Sequence, residues 1–191
     1  MTHLAKAARR YQRLEEFQPG ERGRPRWVVL VWQIVQATLF SGLPHAPNVW
    51  RRGLLRCFGA SIGQDVVLRP SLRVHFPWRL SIGDRSWIGD EVRLYSLGEI
   101  HIGSDTVISQ RSHLCAGSHD YRDPRFPTLL PPIIIGNEVW LAAEVFVAPG
   151  LRIGDGAVVG ARSAVFTDLE GGLIYRGAPA KAIGPRQPAT D

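Results

Sequence analysis

The sequence predicts an all-β fold, a three-sided parallel β-solenoid preceded by a helical segment. A branched aliphatic residue stands at every sixth position in four successive runs, three of three residues and one of six. These residues are Ile62, Leu68, Val74, Ile82, Ile88, Leu94, Ile102, Ile108, Leu114, Ile135, Leu141, Val147, Ile153, Val159 and Val165. A period of six matches neither a helix nor a plain alternating strand. It is typical of a solenoid in which each hexad forms one side of a coil.

Ile-Gly pairs set the length of a coil. They recur at positions 62, 82 and 102 and then at 135 and 153, so that coils of 20 residues are followed by coils of 18. Eighteen residues are three hexads, which predicts a triangular cross-section. Glycine at the turns is expected to supply backbone angles that other residues resist. The narrow interior is expected to hold small or apolar residues four positions after the aliphatics: Ser86, Thr106, Ser112, Ser118, Val139, Val145, Ala157 and Ser163.

The step from Leu114 to Ile135 is longer, at 21 residues. It predicts a loop at residues 119–132 that leaves the solenoid, and its four prolines make this loop stiff enough to wall a cleft. We therefore expect three parts in the chain. They are a basic helical segment at 1–58, a β-helix domain at 59–170 and a C-terminal tail at 171–191.

Positive charge is concentrated before the repeats. Residues 1–60 contain ten Lys or Arg and three Asp or Glu, whereas the remaining 131 residues contain thirteen and fourteen. The solenoid therefore has neither a basic face nor a reading helix, and nucleic acid is not an expected partner. The two cysteines lack metal-ligand spacing, so we expect no disulfide framework and no zinc site in a cytoplasmic protein.

The N-terminal segment has two open interpretations. A short helix is expected around 5–17, and an apolar run from Trp27 to Phe40 follows that is too short to span a bilayer. This run either caps the first coil, which is the favoured interpretation for the helix face, or lies at the inner face of an anionic membrane. The membrane interpretation uses Trp27, Trp32 and Phe40 together with Arg22, Arg24, Arg26, Arg51, Arg52 and Arg56.

Several segments resemble the hexapeptide-repeat acetyltransferases, and most closely the colanic acid biosynthesis acetyltransferases, which are related to galactoside and maltose O-acetyltransferases. The segments are residues 34–40 (IVQATLF), 109–121, 136–140 (GNEVW) and 177–181 (GAPAK). The resemblance implies a left-handed parallel β-helix, an exception to the right-handed rule for parallel connections. It implies a homotrimer with active sites between neighbouring chains. It also implies acetyl transfer from acetyl-CoA to a sugar or glycan hydroxyl in polysaccharide biosynthesis.

The same resemblance assigns site residues. His119 corresponds to the general base that takes the proton of the acceptor hydroxyl, and the backbone N–H of Ala143 to the group that holds the oxyanion. Positions expected to contact the substrate are Ser96, Asp120 and Trp140, although Trp140 is equally suited to filling a corner of the solenoid. Positions expected to contact acetyl-CoA are Ala143, Ala161, Arg162, Thr167 and Lys181, with Arg186 as a further candidate. Relatives often carry Lys at position 167 and Asn near position 96, so these two contacts are open.

Two other functions stay open at this point. A metal-dependent enzyme resembling the γ-class carbonic anhydrases needs three imidazoles on one zinc ion. The candidates here are His101, His113 and His119, but their spacing does not match that family, and we expect no metal. A non-catalytic scaffold that binds acetyl-CoA is the other alternative. His113 is expected to be an outward-facing strand residue.

Overall fold

The protein was analysed as a computed structural model, which describes residues 11–13, 22–43 and 45–187. The helix expected around 5–17 lies outside the described residues, apart from 11–13. Short parallel strands wind into a three-sided left-handed β-helix, and two helices precede them. The predicted fold class is therefore confirmed. The predicted boundaries at residues 58 and 170 stay a prediction. Strand pairing in the structure continues beyond residue 170, where Ile174 pairs with Val158.

Three sheets form the sides of the coil, and each takes one strand from every successive coil. Sheet A contains β1 (Ser61–Ile62), β4 (Leu80–Ile82), β7 (Ile100–Ile102), β12 (Ile133–Ile135) and β15 (Arg152–Ile153). Sheet B contains β2 (Val67–Leu68), β5 (Trp87–Ile88), β8 (Val107–Ile108), β13 (Trp140–Leu141), β16 (Val158–Val159), β18 (Leu173–Arg176) and the antiparallel β19 (Lys181–Pro185). Sheet C contains β3 (Arg73–Val74), β6 (Arg93–Tyr95), β9 (His113–Cys115), β14 (Phe146–Val147) and β17 (Ala164–Val165). We name the corners A–B, B–C and C–A after the sheets that meet there.

The core is the stack of hexad aliphatics. All fifteen predicted positions are buried, none more than 6% exposed. Hydroxyls at the small interior positions join successive coils: Thr106 Oγ1 donates to the Gly136 carbonyl (2.9 Å) and accepts from the Val139 N–H (3.1 Å). These bonds satisfy polar groups that burial would otherwise penalise. Seven of the eight predicted interior residues are buried, but the prediction for Ser118 is wrong. Ser118 is exposed because the chain has already left the coil there.

The glycines of the Ile-Gly pairs have a different role from the one expected. Positive φ angles occur three positions after the aliphatics, and charged residues hold most of these positions: Asp65, Arg85, Glu91, Asp105, Arg111, Glu138, Glu144 and Arg162. The glycines of the pairs are needed because neighbouring coils approach closely. A Cβ on Gly103 would lie 2.5 Å from the carbonyl oxygen of Gly136 on the next coil.

Two helices cover the open end of the first coil. They are α1 (Arg26–Val35), which continues into a π-helical turn (Gln36–Phe40), and α2 (Asn48–Cys57). Trp32 and Phe40 are fully buried, and the Trp32 indole donates to the Val74 carbonyl (2.9 Å). Gln36 Oε1 accepts from the Val74 N–H (2.7 Å), so α1 takes up the free edge of sheet C. Trp32 and Phe40 therefore serve the cap, and placing them at a membrane surface was wrong.

Arginines of α2 fasten the helices to the solenoid. Arg51 is 3% exposed, and its guanidinium donates to the carbonyls of Phe40 (3.3 Å), Leu43 (2.6 Å) and Ala46 (2.7 Å). Burial lowers the pKa of Arg51. Arg56 donates to the Ile62 carbonyl (2.6 Å). Arg51 therefore serves the cap, and the alternative that places it at a membrane surface does not hold, because its side chain is enclosed by these carbonyls. Within the described residues, no helix has the length and hydrophobicity needed to cross a bilayer.

We predict that Gly103→Ala lowers the free energy of unfolding by about 1–3 kcal/mol, because the new methyl group forces two coils apart. The matched control is Gly53→Ala in α2, where a Cβ meets nothing within 4 Å. That substitution should be neutral or stabilising by up to about 1 kcal/mol, as expected for alanine in a helix. Urea unfolding of both variants measures the difference. Equal effects would show that coil spacing does not require glycine at position 103.

Candidate active site

The predicted loop leaves the solenoid at corner C–A and carries His119. Two short antiparallel strands, β10 (Ser118–His119) and β11 (Thr128–Leu129), form its base. The His119 ring stacks on Phe126, with centroids 4.3 Å apart and an interplanar angle of 9°. His119 Nδ1 lies 3.1 Å from the Phe126 carbonyl oxygen. Phe126 thus orients the histidine through both its ring and its backbone.

This contact selects the tautomer of His119. A carbonyl oxygen only accepts hydrogen bonds, so Nδ1 carries the proton in the neutral ring and donates it to Phe126. The lone pair of the neutral imidazole is then on Nε2, the atom that a general base would use. The sequence left open whether Asp120 or a carbonyl orients the ring, and it did not point to Phe126. An aromatic residue seven positions after a histidine carries no recognisable signal.

Aspartates within the loop fix its shape. Asp120 Oδ1 accepts from the Arg122 N–H (2.9 Å), and the Asp120 N–H donates to the Pro127 carbonyl (3.0 Å). Asp123 accepts from both the backbone and the guanidinium of Arg125, and these bonds lower the pKa of the Asp123 carboxyl. The turns position His119 at the base of a compact hairpin. Asp120, predicted to contact substrate, makes loop contacts in the described structure.

Corner B–C brings three predicted cofactor positions together. The register of β13 and β16 places Ala143 and Ala161 at equivalent positions of successive coils, and the Arg162 N–H donates to the Ala143 carbonyl (2.9 Å). The Arg162 guanidinium is paired with Glu144 (2.7 Å). Two stacked methyl groups leave a shallow track along this corner, where larger side chains would fill it.

Backbone N–H groups distinguish the two corners. At corner A–B, side-chain oxygens of the next coil accept the turn N–H groups, as Asp84 does for Gln64 (2.7 Å) and Asn137 for Ser104 (2.9 Å). At the equivalent positions of corner B–C, the N–H groups of Ala143 and Ala161 have no acceptor among the described residues. Such groups are suited to hold carbonyl and amide oxygens of an elongated ligand.

A cleft of about 620 Å³ lies beside corner B–C on the earlier coils. Trp87, Ser109 and Arg111 are among the residues that line it. Trp140, on the exposed face of sheet B, donates its indole N–H to Ser109 Oγ (3.0 Å) at the edge of this cleft. The walls of the cleft are both polar and aromatic. The sequence did not indicate Trp87 or Ser109, because strand position alone does not say which outward residues line a cavity.

Other predicted positions lie elsewhere. The Ser96 hydroxyl is fully buried, accepting from the Phe76 N–H (2.8 Å) and donating to its carbonyl (3.0 Å), so it joins two coils. Arg186 donates to the Glu138 carbonyl (2.6 Å) at corner A–B, away from the alanine track. Thr167 and Lys181 are exposed beyond the fifth coil, at the C-terminal end of the solenoid.

His119 and Ala143 do not meet within one chain. The loop leaves at corner C–A, whereas Ala143 lies at corner B–C, and the whole width of sheet C separates the two corners. A side of six residues spans roughly 20 Å at about 3.3 Å per residue. A site that uses both groups therefore needs His119 from one chain and the alanine track from another.

The remaining histidines of the solenoid have structural surroundings. On the outer face of sheet C, His113 lies between the rings of Tyr95 (6.3 Å) and Phe146 (5.7 Å). Burial, with a smaller contribution from Arg93, lowers the pKa of His113, and burial lowers that of His75. His101 contacts Ser81 and Glu99. The described residues contain no group of three side chains arranged to hold a metal, and the metal-enzyme alternative is not favoured.

Comparison with known proteins decides the family. No protein-family profile matches the chain. The colanic acid biosynthesis acetyltransferase WcaF of Escherichia coli (strain K12) is 52% identical over 167 residues, which cover 87% of this chain and 92% of that protein. The chain belongs to the hexapeptide-repeat acetyltransferase family. The predicted family and enzyme class are thereby confirmed.

One further curated protein and one solved structure are similar to the chain. The lipopolysaccharide biosynthesis O-acetyl transferase WbbJ of Escherichia coli (strain K12) is 34% identical over 112 residues, 52% of this chain and 57% of that protein. The hexapeptide-repeat acetyltransferase VCA0836 of Vibrio cholerae O1 biovar eltor, solved in complex with acetyl coenzyme A, superposes with a TM-score of 0.75. It is 24% identical, and the match covers 92% of this chain and 98% of that one. This second likeness concerns the fold.

We predict that His113→Ala keeps acetyltransferase activity and makes thermal stability less dependent on pH. The pKa of His113 in the folded protein is below its usual value of 6.5. As the pH falls, the unfolded chain therefore takes up a proton at His113 at a higher pH than the folded protein does. Stability is therefore complete above about pH 6.5 and decreases below it, and removing the imidazole should make this decrease shallower. Melting curves of both proteins between about pH 7 and 5.5 test this. An inactive but folded variant would place His113 in the chemistry instead.

Proposed function

We propose that this acetyltransferase moves an acetyl group from acetyl-CoA to a sugar hydroxyl in surface or exopolysaccharide biosynthesis. The observation that carries the proposal is the 52% identity to WcaF over 87% of the chain. The name of WbbJ, an O-acetyl transferase of lipopolysaccharide biosynthesis, points to the same substrate class. The geometry of His119 and of the alanine track supports the chemistry.

In the proposed mechanism His119 acts as the general base. Nε2 accepts the proton of the acceptor hydroxyl while the hydroxyl oxygen attacks the thioester carbonyl carbon. The Phe126 carbonyl stabilises the imidazolium that forms, because it accepts the hydrogen bond from Nδ1. Collapse of the tetrahedral intermediate breaks the carbon–sulfur bond, and the imidazolium returns its proton to the departing CoA thiolate. No covalent acyl-enzyme is needed.

The alanine track would hold acetyl-CoA. In this proposal the N–H of Ala143 would donate to the oxyanion, and the N–H of Ala161 to an oxygen of the pantetheine arm. Toward the C-terminal coils, the proposed contacts to CoA are Arg162, Thr167 and Lys181. Arg162 and Lys181 would supply positive charge for the CoA phosphates. The Glu144–Arg162 pair is exposed on the surface, so Arg162 can exchange its partner at little cost.

The acceptor sugar would lie in the cleft beside Trp140. Its aromatic wall can stack on the apolar face of a sugar ring, while Ser109 and Arg111 offer polar contacts to hydroxyl groups. Asp120 remains a proposed substrate contact from the loop. We do not propose that Ser96 contacts the substrate, because both hydrogen bonds of its buried hydroxyl are made with the backbone of Phe76.

The proposed assembly is a closed homotrimer. His119 and Ala143 lie at different corners of one chain, so a cyclic arrangement that sets each loop against the next chain's track completes every site. The proposed location is the cytoplasm, with the N-terminal segment in peripheral contact with the inner face of an anionic membrane.

We predict that His119→Ala lowers kcat for acetyl transfer by about a hundredfold to ten-thousandfold, the usual contribution of a positioned general base. The dissociation constant for acetyl-CoA should change little, because the proposed cofactor track lies on other residues. Labelled acetyl-CoA with a panel of sugars and nucleotide sugars measures transfer, and calorimetry measures binding. His113→Ala is the control variant, because it removes a different histidine. Full activity of His119→Ala would refute the assignment of the base.

We predict that two inactive variants restore activity when mixed. Ala161→Trp blocks the track and His119→Ala removes the base, so each homotrimer lacks every site. After denaturation and joint refolding, about a quarter of the interfaces in randomly mixed trimers should combine an intact loop with an intact track. Transfer should then recover to about that fraction of the wild-type rate. No recovery despite mixed trimers by mass spectrometry would place the site within one chain.

A further inference from the structure

Helix α1 has two apolar faces, although a capping helix needs one. The inner face buries Trp32 against the first coil and packs Val35 on the core. The outer face exposes four large apolar side chains at spacings of three and four residues: Trp27, Leu30, Val31 and Ile34. Trp27 is 68% exposed and Ile34 is 55% exposed. A helix at a protein surface ordinarily has a polar outer face.

Helix α2 and the turn before it continue this surface. Leu39, Leu43, Val49 and Trp50 are exposed, with Val49 at 61%. An almost entirely apolar groove of about 570 Å³ runs among Leu43, Val49, Trp50 and Cys57. The Trp50 indole N–H donates to the Leu39 carbonyl (3.1 Å), which holds this ring in place. The outward apolar surface is thus built and ordered on both helices.

The two faces are contiguous. A second cleft, lined by Trp27, Val31 and Cys57 together with Arg24 and Arg56, lies between the helices. Cys57 lines this cleft and the groove of α2 alike. We call the joint surface the helical platform, defined by Trp27, Leu30, Val31, Ile34, Leu39, Leu43, Val49 and Trp50. Clusters of exposed apolar residues of this size mark interaction sites in soluble proteins.

Charge indicates the partner. Residues 22–64 contain six arginines and no Asp or Glu. Arg51, Arg52 and Arg56 donate to backbone carbonyls of the helices and the first coil. Arg24 and Arg26 are exposed beside Trp27, and neither side chain has an ion-pair partner among the described residues. An apolar surface with a purely cationic rim complements an anionic lipid headgroup layer. Two copies of the platform facing each other would instead bring like charges together.

We infer that the helical platform docks on an anionic lipid bilayer, with its tryptophans and aliphatics among the headgroups and Arg24 and Arg26 on the phosphates. This goes beyond the general membrane contact proposed above, because the surface differs from the one the sequence suggested and excludes Trp32, Phe40 and Arg51. The platform lies at the first coil, and the His119 loop leaves after the third. One helix diameter of about 10 Å and two coil steps of about 4.8 Å place the loop roughly 20 Å above the lipid surface. A membrane-anchored glycan can extend over that distance.

Point variants of the full chain test the inference. Flotation with vesicles of equal parts phosphatidylglycerol and phosphatidylcholine measures binding. Leu30→Ser with Ile34→Ser should weaken binding about tenfold or more, because two aliphatic side chains no longer enter the interface. The control is Ile183→Ser, since Ile183 is 52% exposed in β19 at the opposite end of the chain. A truncation is unsuitable, because the Arg13 N–H donates to the Pro124 carbonyl of the active-site loop (2.8 Å).

The electrostatic part is tested separately. Arg24→Gln with Arg26→Gln should weaken binding to the anionic vesicles by about thirtyfold, because each arginine near the surface contributes about 1 kcal/mol, and added salt should also weaken binding. Arg152→Gln, an exposed arginine of the solenoid, should leave binding unchanged. Binding of the wild type to pure phosphatidylcholine should be much weaker.

Two results would overturn the inference. One is that the Leu30 and Ile34 substitutions leave vesicle binding at the wild-type level, or that Ile183→Ser weakens binding as much as they do. The other is absence of vesicle binding by the wild type. A change of oligomeric state in the Leu30 and Ile34 variant would then make the platform a contact between subunits. Transfer of acetyl to a soluble sugar is an independent readout, and platform variants should retain it. Absence of acetyl transfer by the wild-type protein would contradict the proposed function, but it would not change the result for vesicle binding.

Discussion

Parallel hydrogen bonds join each coil to the next without a shift in register, and this ladder positions the alanine track and the strands from which the His119 loop leaves. Ile62, Ile82 and Ile102 lie directly above one another, and so do Ile135 and Ile153. The register holds even across the loop, since Ile102 pairs with Ile135. Because the coils are so close, the residue after each of these isoleucines is glycine. The same register stacks Ala143 under Ala161 and gives corner B–C a continuous track.

The corners divide structural and functional roles. Corner A–B is closed by side-chain acceptors, including Asp84 and Asn137, which satisfy the turn N–H groups from the next coil. Corner B–C lacks such acceptors at Ala143 and Ala161 among the residues that the structure describes, so these donors make no bond to the rest of the described chain. Leaving donors unsatisfied in a stable fold is tolerable only at the surface, where water replaces the missing partner. The same exposure gives a ligand access to these groups.

Residues with a fixed period were predictable, and residues placed by contacts between distant segments were not. The fifteen aliphatics follow a strict spacing, and their burial follows from it. The inward position of Trp32 stayed open between a cap and a membrane surface, because composition cannot show which face of an apolar helix turns inward. Its indole bond to Val74 spans 42 positions of sequence. Phe126 was missed for a related reason, since it acts on His119 through a carbonyl, which every residue possesses.

Each coil closes on itself, so the loop at residues 119–132 is an insertion that the solenoid accommodates without cost to its neighbours. The strands on either side of it pair as though it were absent. Within this architecture, the segment carrying the base and the segment forming the track are separate modules of the chain. Loops of different length or composition can therefore be exchanged at this corner while the alanine track keeps its register. Under the proposed function, a change of acceptor needs only such a local replacement, because the register of the coils keeps the track aligned.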